Sequence, residues 1–437
     1  MSLSAFHSEL SGLLASVGDD LRGVVGIRGA NDRVDALVLL CRGVLRRSSA
    51  CLIDGEPYVF GGECYEPCSL RGIGQDLGNL LMDMGVSPLD VRRAGDMALG
   101  VIGERSFVGG DVLCFDNGYF SLSGFTFEGG FSPLVISTER MGYRYDEGAG
   151  CPMWESFLSE VLPDAGARAV LQEFFGMVYL DRRRLSVEKM AFFVGKGANG
   201  KSVVFEVMKR VLGEGSVSTL DPVQLSDEKM LPSVKGKRLN FSPDLARHRD
   251  FSSSLKALAS GQDVTGRRIY GEAEKVNCPP LAFAMNDVPA LRDVTDAFFR
   301  RVLYFGFDVQ IPAERQDRLL VGKICASDLP GIFNWVIEGT KRLLRNRGAF
   351  TACRKMDRDL ALLRSDVGGG NVRAYLEGRG LSVVPAYPGQ SPTLVSCGEI
   401  VEGLGGAVSP NAVSREMSYW GVVRVRNRET FYKLYKK

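Results

Sequence analysis

Met190 to Val194 is an unbroken apolar run, the pattern of a strand buried on both faces. Val203, Val207, Met208, Val211 and Leu212 follow at three- and four-residue spacing, so a helix is expected to begin directly after residues 195–202. Upstream, Phe6, Leu10, Leu13 and Leu14, then Val34, Leu37, Val38 and Leu40, predict helical structure over residues 2–47. Tyr58, Val59, Phe60 and Tyr65 around Gly61 and Gly62 predict a short hairpin, and 70–84 returns to helical spacing. Residues 107–145 alternate short apolar runs with glycines, as strands do, and helices are expected over 154–162 and 165–180. No glycine-serine or proline-rich linker separates these parts.

Downstream of the helix, 237–244 reads as a strand ending in Asp244, and 255–263 as a helix ending at glycine. Residues 264–276 read as a hairpin and 279–289 as a buried strand ending in Asn286. Arg300 and Arg301 then lead into a last apolar strand, and 371–378 and 409–420 read as helices. Strands at 422–425 and 430–434, joined by a basic turn, complete the order of a winged-helix module. Three domains are therefore expected: a mixed α/β adaptor over 1–150, an α/β core over 151–350, and a winged-helix-like domain over 351–437.

Composition narrows the class. The chain has 437 residues, 45% hydrophobic and 24% charged, which is ordinary for a globular protein. No run approaches the roughly 20 apolar residues of a membrane span, and the N-terminus lacks a signal pattern, so a cytoplasmic protein without membrane contact is expected. His7 and His248 are the only histidines, which leaves little for histidine-based catalysis. Ten cysteines without a secretory signal read as reduced thiols. Cys41, Cys51, Cys64 and Cys68 raise a zinc question, but their irregular spacing favours buried packing residues.

The net charge of +2 hides a gradient. Residues 1–150 carry 12 Lys/Arg against 20 Asp/Glu, a net of −8, while 352–437 carry 13 against 8, a net of +5. Contact with nucleic acid is thus expected in the middle and C-terminal parts.

The candidate chemistry lies between the strand and the helix. Residues 195–202 spell G-K-G-A-N-G-K-S, the G-x-x-x-x-G-K-[ST] pattern of a phosphate-binding loop, in the context that the pattern requires. Gly195, Lys196, Gly197, Ala198, Asn199, Gly200 and Val203 would offer backbone amides to phosphate oxygens. Lys201 would reach the β and γ phosphates, and Ser202 would ligate Mg²⁺. Asp244 stands where a carboxylate can hold Mg²⁺ and orient water, although a helix cap would look the same. Asn286 can hydrogen-bond a γ-phosphate or water, or simply form a turn with Asp287. Arg267, Arg268, Tyr270 and Lys275 give the 264–276 hairpin cations for phosphates and an aromatic ring for stacking. Arg415, with Asn411, Ser414 and Ser418, would lie on the recognition helix of such a module, and Arg426 and Arg428 in its wing.

The order of these motifs resembles the superfamily 3 helicases, and more specifically the helicase part of phage, plasmid and poxvirus primase-helicases. The likeness covers roughly 50–350 and takes in Phe115-Asp116-Asn117-Gly118, Tyr145-Asp146 and the run from Cys151 to Leu158. It implies an AAA+ type core, a homo-oligomeric, hexameric ring with ATP and Mg²⁺ between subunits, and DNA in the channel. By it, Gly200, Lys201 and Ser202 form the phosphate loop, Asp244 is the Walker B acid where the family usually has glutamate, Asn286 the polar sensor and Arg301 an arginine finger. A ring-forming, ATP-dependent DNA helicase of a mobile element in a bacterial host is therefore expected, without primase activity of its own, and with a separate primase or polymerase as a partner. The alternatives are a replication initiator that assembles on origin DNA with little unwinding, and a small-molecule kinase using the same loop.

Overall fold

The computed structural model describes residues 4–53, 55–105, 112–243, 258–267, 272–286, 296–367, 370–382, 390–404, 410–419, 422, 424–426 and 430–436. The chain divides into two compact units, one of residues 1–148 with 213–215 and the other of 149–212 with 216–437. Together they make a mixed α/β protein of helices, antiparallel sheets and one parallel sheet.

In the first unit the helical stretch expected over 2–47 is three helices, α1 (Ser4–Ser16), α2 (Gly18–Val25) and α3 (Ala30–Arg47). Glycines at 18, 26 and 29 weaken the helix between them, and Asp19 and Asp20 favour a fresh N-terminus. Phe6, Leu10, Leu14, Leu37 and Val38 bury the inner faces, joined by Ile73 and Leu77 of α4 (Leu70–Asp83). The hairpin at Gly61 and Gly62 is present as β2 (Glu56–Phe60) and β3 (Tyr65–Pro67), with β1 (Cys51–Ile53) added on the other edge of β2. After α5 (Pro88–Leu99), the strands expected over 107–145 are an antiparallel meander of β4 (Val112–Phe115), β5 (Gly118–Ser121) and β6 (Thr126–Gly129). Cys41 packs in the helical core and Cys51 packs with Ile53 and Tyr65, while burial pushes the Cys64 thiol up to about 12. Among the described residues no group of three or more His, Cys, Asp or Glu is placed to hold a metal ion.

The second unit opens with α6 (Pro152–Val161) and α7 (Ala165–Gly176), which lead into β7 (Met190–Val194) and α8 (Lys201–Val211). β8 (Val217–Ser218), β9 (Leu239–Ser242), β12 (Leu281–Met285) and β13 (Val302–Gly306) join β7 in a parallel sheet of order β13-β7-β12-β9-β8. Between β9 and β12, β10 (Asp263–Arg267) and β11 (Ala273–Asn277) form an antiparallel hairpin, and α9 (Asp296–Phe299) precedes β13. All five residues of β7 and of β12 are buried, as continuous apolar runs require of central parallel strands. Phe193 stacks on Phe305 and meets Phe241, which stacks on Phe205 of α8.

Behind this layer runs α10 (Leu320–Arg345), packed on α6, α7 and α8. It is long and apolar enough to cross a membrane, yet Ile324, Ile332, Phe333, Val336 and Leu343 are buried within the protein, so it is the core helix of this unit. Glu173 of α7 is fully buried and accepts from Arg342 at 2.7 Å and from the Thr351 amide at 2.8 Å. α11 (Arg354–Val367) then packs against β13.

The C-terminal segment has its own core, with Val372, Ile400, Val413, Met417 and Leu434 at its centre. α12 (Gly370–Gly378), β14 (Leu381–Ser382), β15 (Thr393–Ser396), α13 (Cys397–Gly403), α14 (Pro410–Tyr419), β16 (Arg424–Arg426) and β17 (Thr430–Lys436) follow in order. β15 and β16 pair with opposite edges of β17, since Tyr432 faces Val395 on one side and Arg424 on the other. The helices near 371–378 and 409–420 and the paired strands after them agree with the spacing, whereas β14, β15 and α13 go beyond it. A capping box between Ser396 and Glu399 starts α13, and its S-x-x-E signal is present in the sequence.

Candidate functional site

Parallel strands in register end together. Val194 of β7 lies opposite Met285 of β12 and opposite Gly306 of β13, so three carboxyl ends are flush. The chain reaches β12 and β13 only after β7, on opposite sides of it, which makes this edge a topological switch point where ligands of open α/β sheets bind. The 195–202 loop leaves β7 at that edge and turns straight into α8.

The loop is held by its carbonyls. Gly195 and Ala198 accept from Lys201 Nζ at 2.5 Å and from the Ile311 amide at 2.8 Å, and Gly200 accepts from Val204 at 3.0 Å. None of the amides of residues 196–203 donates to an acceptor among the described residues. With carbonyls turned to the protein and amides left open, at the positive end of a helix, the loop has the polarity of an anion site.

Glycine is required at two of its positions. A Cβ on Gly195 would lie 2.3 Å from both the Asn199 amide nitrogen and the Phe307 carbonyl. Gly200 has φ +85°, and a Cβ there would also meet Val161 at 2.7 Å. Both glycines thus let the loop lie down on the segment after β13 and on α6. Its tip, residues 196–198, stays exposed.

Lys201 is buried at the start of α8, and burial lowers its pKa below the ordinary lysine value. Its ammonium donates at 2.9 Å to the side-chain oxygen of Asn199, whose own amide donates to the Phe307 carbonyl at 3.1 Å. Ser202 is exposed in the first turn of α8, beside Val203, and Asn286 is exposed immediately beyond β12. The residues that the sequence selects for phosphate contact, from Gly195 to Val203, therefore share one sheet edge with Asn286. Asp244 lies outside the described residues, two positions past the last residue of β9, Ser242.

Arg301 is at the other edge. It precedes β13, its carbonyl accepting from the Met190 amide at 2.8 Å, at the strands' amino ends. The five-residue strand puts it six residue steps, about 20 Å, from the loop along the sheet. Its guanidinium pairs with Glu188 at 2.7 Å and donates to the Ala297 carbonyl at 2.6 Å. The neighbouring Arg300 is 66% exposed at its side chain and 3.6 Å from the same Glu188.

The basic hairpin expected over 264–276 is β10 with β11. Arg267 faces Ala273 and Thr265 faces Lys275, and the exposed residues Arg267 and Lys275 alternate with buried Gly266 and Val276. Arg268 and Tyr270 lie outside the described residues. The root of the hairpin is tied by two arginines that the motif order passes over. Buried Arg182 donates to the carbonyls of Ala259 and Cys278, which flank the hairpin, and Arg183 pairs with Asp263. Their signal was the Arg182-Arg183-Arg184 run shortly before β7.

In the C-terminal segment Arg415 lies on α14 and Arg426 on β16, and Arg428 lies outside the described residues. The Ser414 hydroxyl is 2.6 Å from that of Tyr432, so it serves the packing of α14 on β17.

A family model described as a family of unknown function (DUF5906) matches residues 193–301, from inside β7 to the arginine pair. Over 225 residues the chain is 24% identical to "Putative helicase 121R" of Invertebrate iridescent virus 3, a match that takes in 47% of this chain and 23% of that protein. Over 217 residues it is 23% identical to "Putative helicase L207/L206" of Acanthamoeba polyphaga mimivirus, covering 45% of this chain and 22% of the relative. The matches thus span less than a quarter of the length of either relative. Among solved structures, the apo structure of the NrS-1 C-terminal region (305–718) is similar over 91% of this chain and 99% of that one, with 11% identity and a TM-score of 0.47. The chain is therefore similar, at a distance, to viral proteins that carry helicase names.

Proposed function

We propose that this chain is the motor of a ring-forming DNA helicase of the superfamily 3 type, with an AAA+ type core and a winged-helix-like C-terminal domain, working for a mobile element in the cytoplasm. The observation that carries the reading is the 195–202 loop: the carbonyls of Gly195, Ala198 and Gly200 accept from the protein, the Gly195 amide donates to Met285, and the amides from Lys196 onward find no acceptor among the described residues, around a buried lysine. That arrangement fits a nucleoside triphosphate: the loop amides and Lys201 would hold the phosphates, and Ser202 with Asp244 would hold Mg²⁺. Mg-ATP would supply the phosphoryl group whose hydrolysis drives the motor.

The placement of Arg301 supports a ring. At the edge opposite its own loop, it would serve a nucleotide bound by a neighbouring subunit, and a closed ring would give every subunit such a neighbour. The β10–β11 hairpin, with Arg267 and Lys275 on its exposed face and its root tied by Arg182 and Arg183, would carry motion to the phosphates of one DNA strand. A separate primase or polymerase is the expected partner.

The test is ATP hydrolysis with and without forked DNA, and strand separation on the same fork, for the native chain and for Lys201→Ala. DNA-stimulated hydrolysis and unwinding, both lost in the variant, are expected. Hydrolysis with sequence-specific DNA retention but no unwinding would replace the helicase by an initiator. Phosphate transfer to a metabolite without DNA would replace it by a kinase.

A further inference from the structure

In the first unit α4 and α5 run antiparallel, and α4 has two apolar faces. Ile73, Leu77, Leu80 and Leu81 point into the core. Leu70, Gly74, Gly78 and Met82, at four-residue spacing, line a groove of about 990 Å³ together with Gly95 and Leu99 of α5. At Gly78 the helices are close, since an added Cβ would lie 3.0 Å from Val91, whereas a Cβ on Gly95 would meet nothing within 4 Å. The groove is therefore open beside Gly95. Leu70 and Met82, 40% and 39% exposed, mark its ends, about 18 Å apart along the helix.

The charge of the groove runs against that of its unit. The charged residues that line it are Arg71 and Arg92, both exposed and both cationic. Because the helices are antiparallel, the two arginines stand toward opposite ends. The surrounding residues 1–150 carry a net −8, so a groove whose lining charges are two cations is a local inversion. Nucleic acid would find the cations but not a use for the apolar floor.

We propose that this groove docks an acidic amphipathic helix of a partner protein. Apolar side chains on successive turns would cover Leu70, Met82 and the open floor at Gly95, and carboxylates about two turns apart would meet Arg71 and Arg92. The proposal is independent of the nucleotide site.

A random twelve-residue peptide library displayed on phage, selected on the whole chain, tests it. The peptides recovered should combine Asp or Glu with Leu, Met or Phe at three- and four-residue spacing. Synthesised and labelled, they should bind the native chain in fluorescence anisotropy and at least tenfold more weakly the double variant R71E/R92E and the groove-filling G95L. Thermal melting checks that both variants fold, and if G95L does not, the exposed arginine pair decides alone. Recovery of no peptide, of basic or uncharged peptides, or of peptides that bind all variants equally overturns the proposal. Self-association of the native chain that R71E/R92E abolishes overturns it too, by giving the groove to a second copy.

Discussion

The ammonium of Lys201 lies 2.9 Å from the side-chain oxygen of Asn199, and the nitrogen of the same Asn199 amide donates to the Phe307 carbonyl at 3.1 Å. One buried side chain thus joins Lys201 to the chain leaving β13. Asn199→Ala removes an acceptor from Lys201 and a donor from a buried carbonyl, a loss of about 1–3 kcal/mol in stability. Labelled ATPγS should bind roughly tenfold more weakly, a loss of about 1.4 kcal/mol. Unchanged binding would mean that the amide is only a spacer.

Burial depresses the Lys201 pKa below 10.5, and a bound phosphate would restore it by pairing with the charged form. In alkaline buffers between the depressed value and 10.5 the unfolded chain binds more protons at this lysine than the empty folded chain, so this group's contribution to stability rises with pH there. Nucleotide binding in that window should take up a fraction of a proton per site. Titration calorimetry in buffers of different ionisation heat should show it, and should show none of it for Lys201→Ala if that variant still binds.

Glu188 holds Arg301 at 2.7 Å and lies 3.6 Å from Arg300. Arg301→Ala should leave nucleotide binding by an isolated subunit unchanged while hydrolysis by the assembly falls by about 10³-fold, the range of a lost arginine finger. Mixing it with Lys201→Ala subunits should restore part of the activity, because a mixed interface can pair an intact loop with an intact arginine. If Arg300→Ala is the damaging change instead, the more exposed arginine is the finger.

Glu173 has no exposed side-chain surface, and its carboxylate accepts from Arg342 and Thr351. Arg342→Ala would leave that charge buried with a partner missing, and about 3–5 kcal/mol of stability should go with it. Calorimetric melting of the second unit should fall accordingly. A change within 1 kcal/mol would show that Thr351 and water suffice.

Lys275 stands on the exposed face of the β10–β11 hairpin. If it meets a phosphate, Lys275→Ala should weaken single-stranded DNA binding equally for all sequences and reduce the slope of log K against log salt by about 0.7. An unchanged slope would remove the hairpin from the DNA path.

Much of the candidate site was legible because it is local. The apolar run of β7, the glycines at 195 and 200 and the apolar spacing of α8 lie within one short segment, and Asn286 follows its own buried run. The support of the site was not legible, because it comes from afar: Phe307 and Ile311 reach the loop from beyond β13, and Glu188 meets Arg301 across the sheet's other edge. In the tail, α13 was announced by Ser396 and Glu399, but seven residues give too little periodicity to outweigh their neighbours.

By itself the sequence determined the strand, loop and helix over 190–212 and the hairpin over 264–276 with Arg267 and Lys275 in it. Backbone preference and side-chain period act over a few residues, and every residue needed was adjacent. Only the tertiary structure decided that β7 lies between β12 and β13 with their carboxyl ends flush, that Lys201 and Arg301 fall on opposite edges of that sheet, and that a second apolar face of α4 stays open beside two arginines. Those relations depend on which distant strands and helices bury one another, and burial is a property of the whole chain.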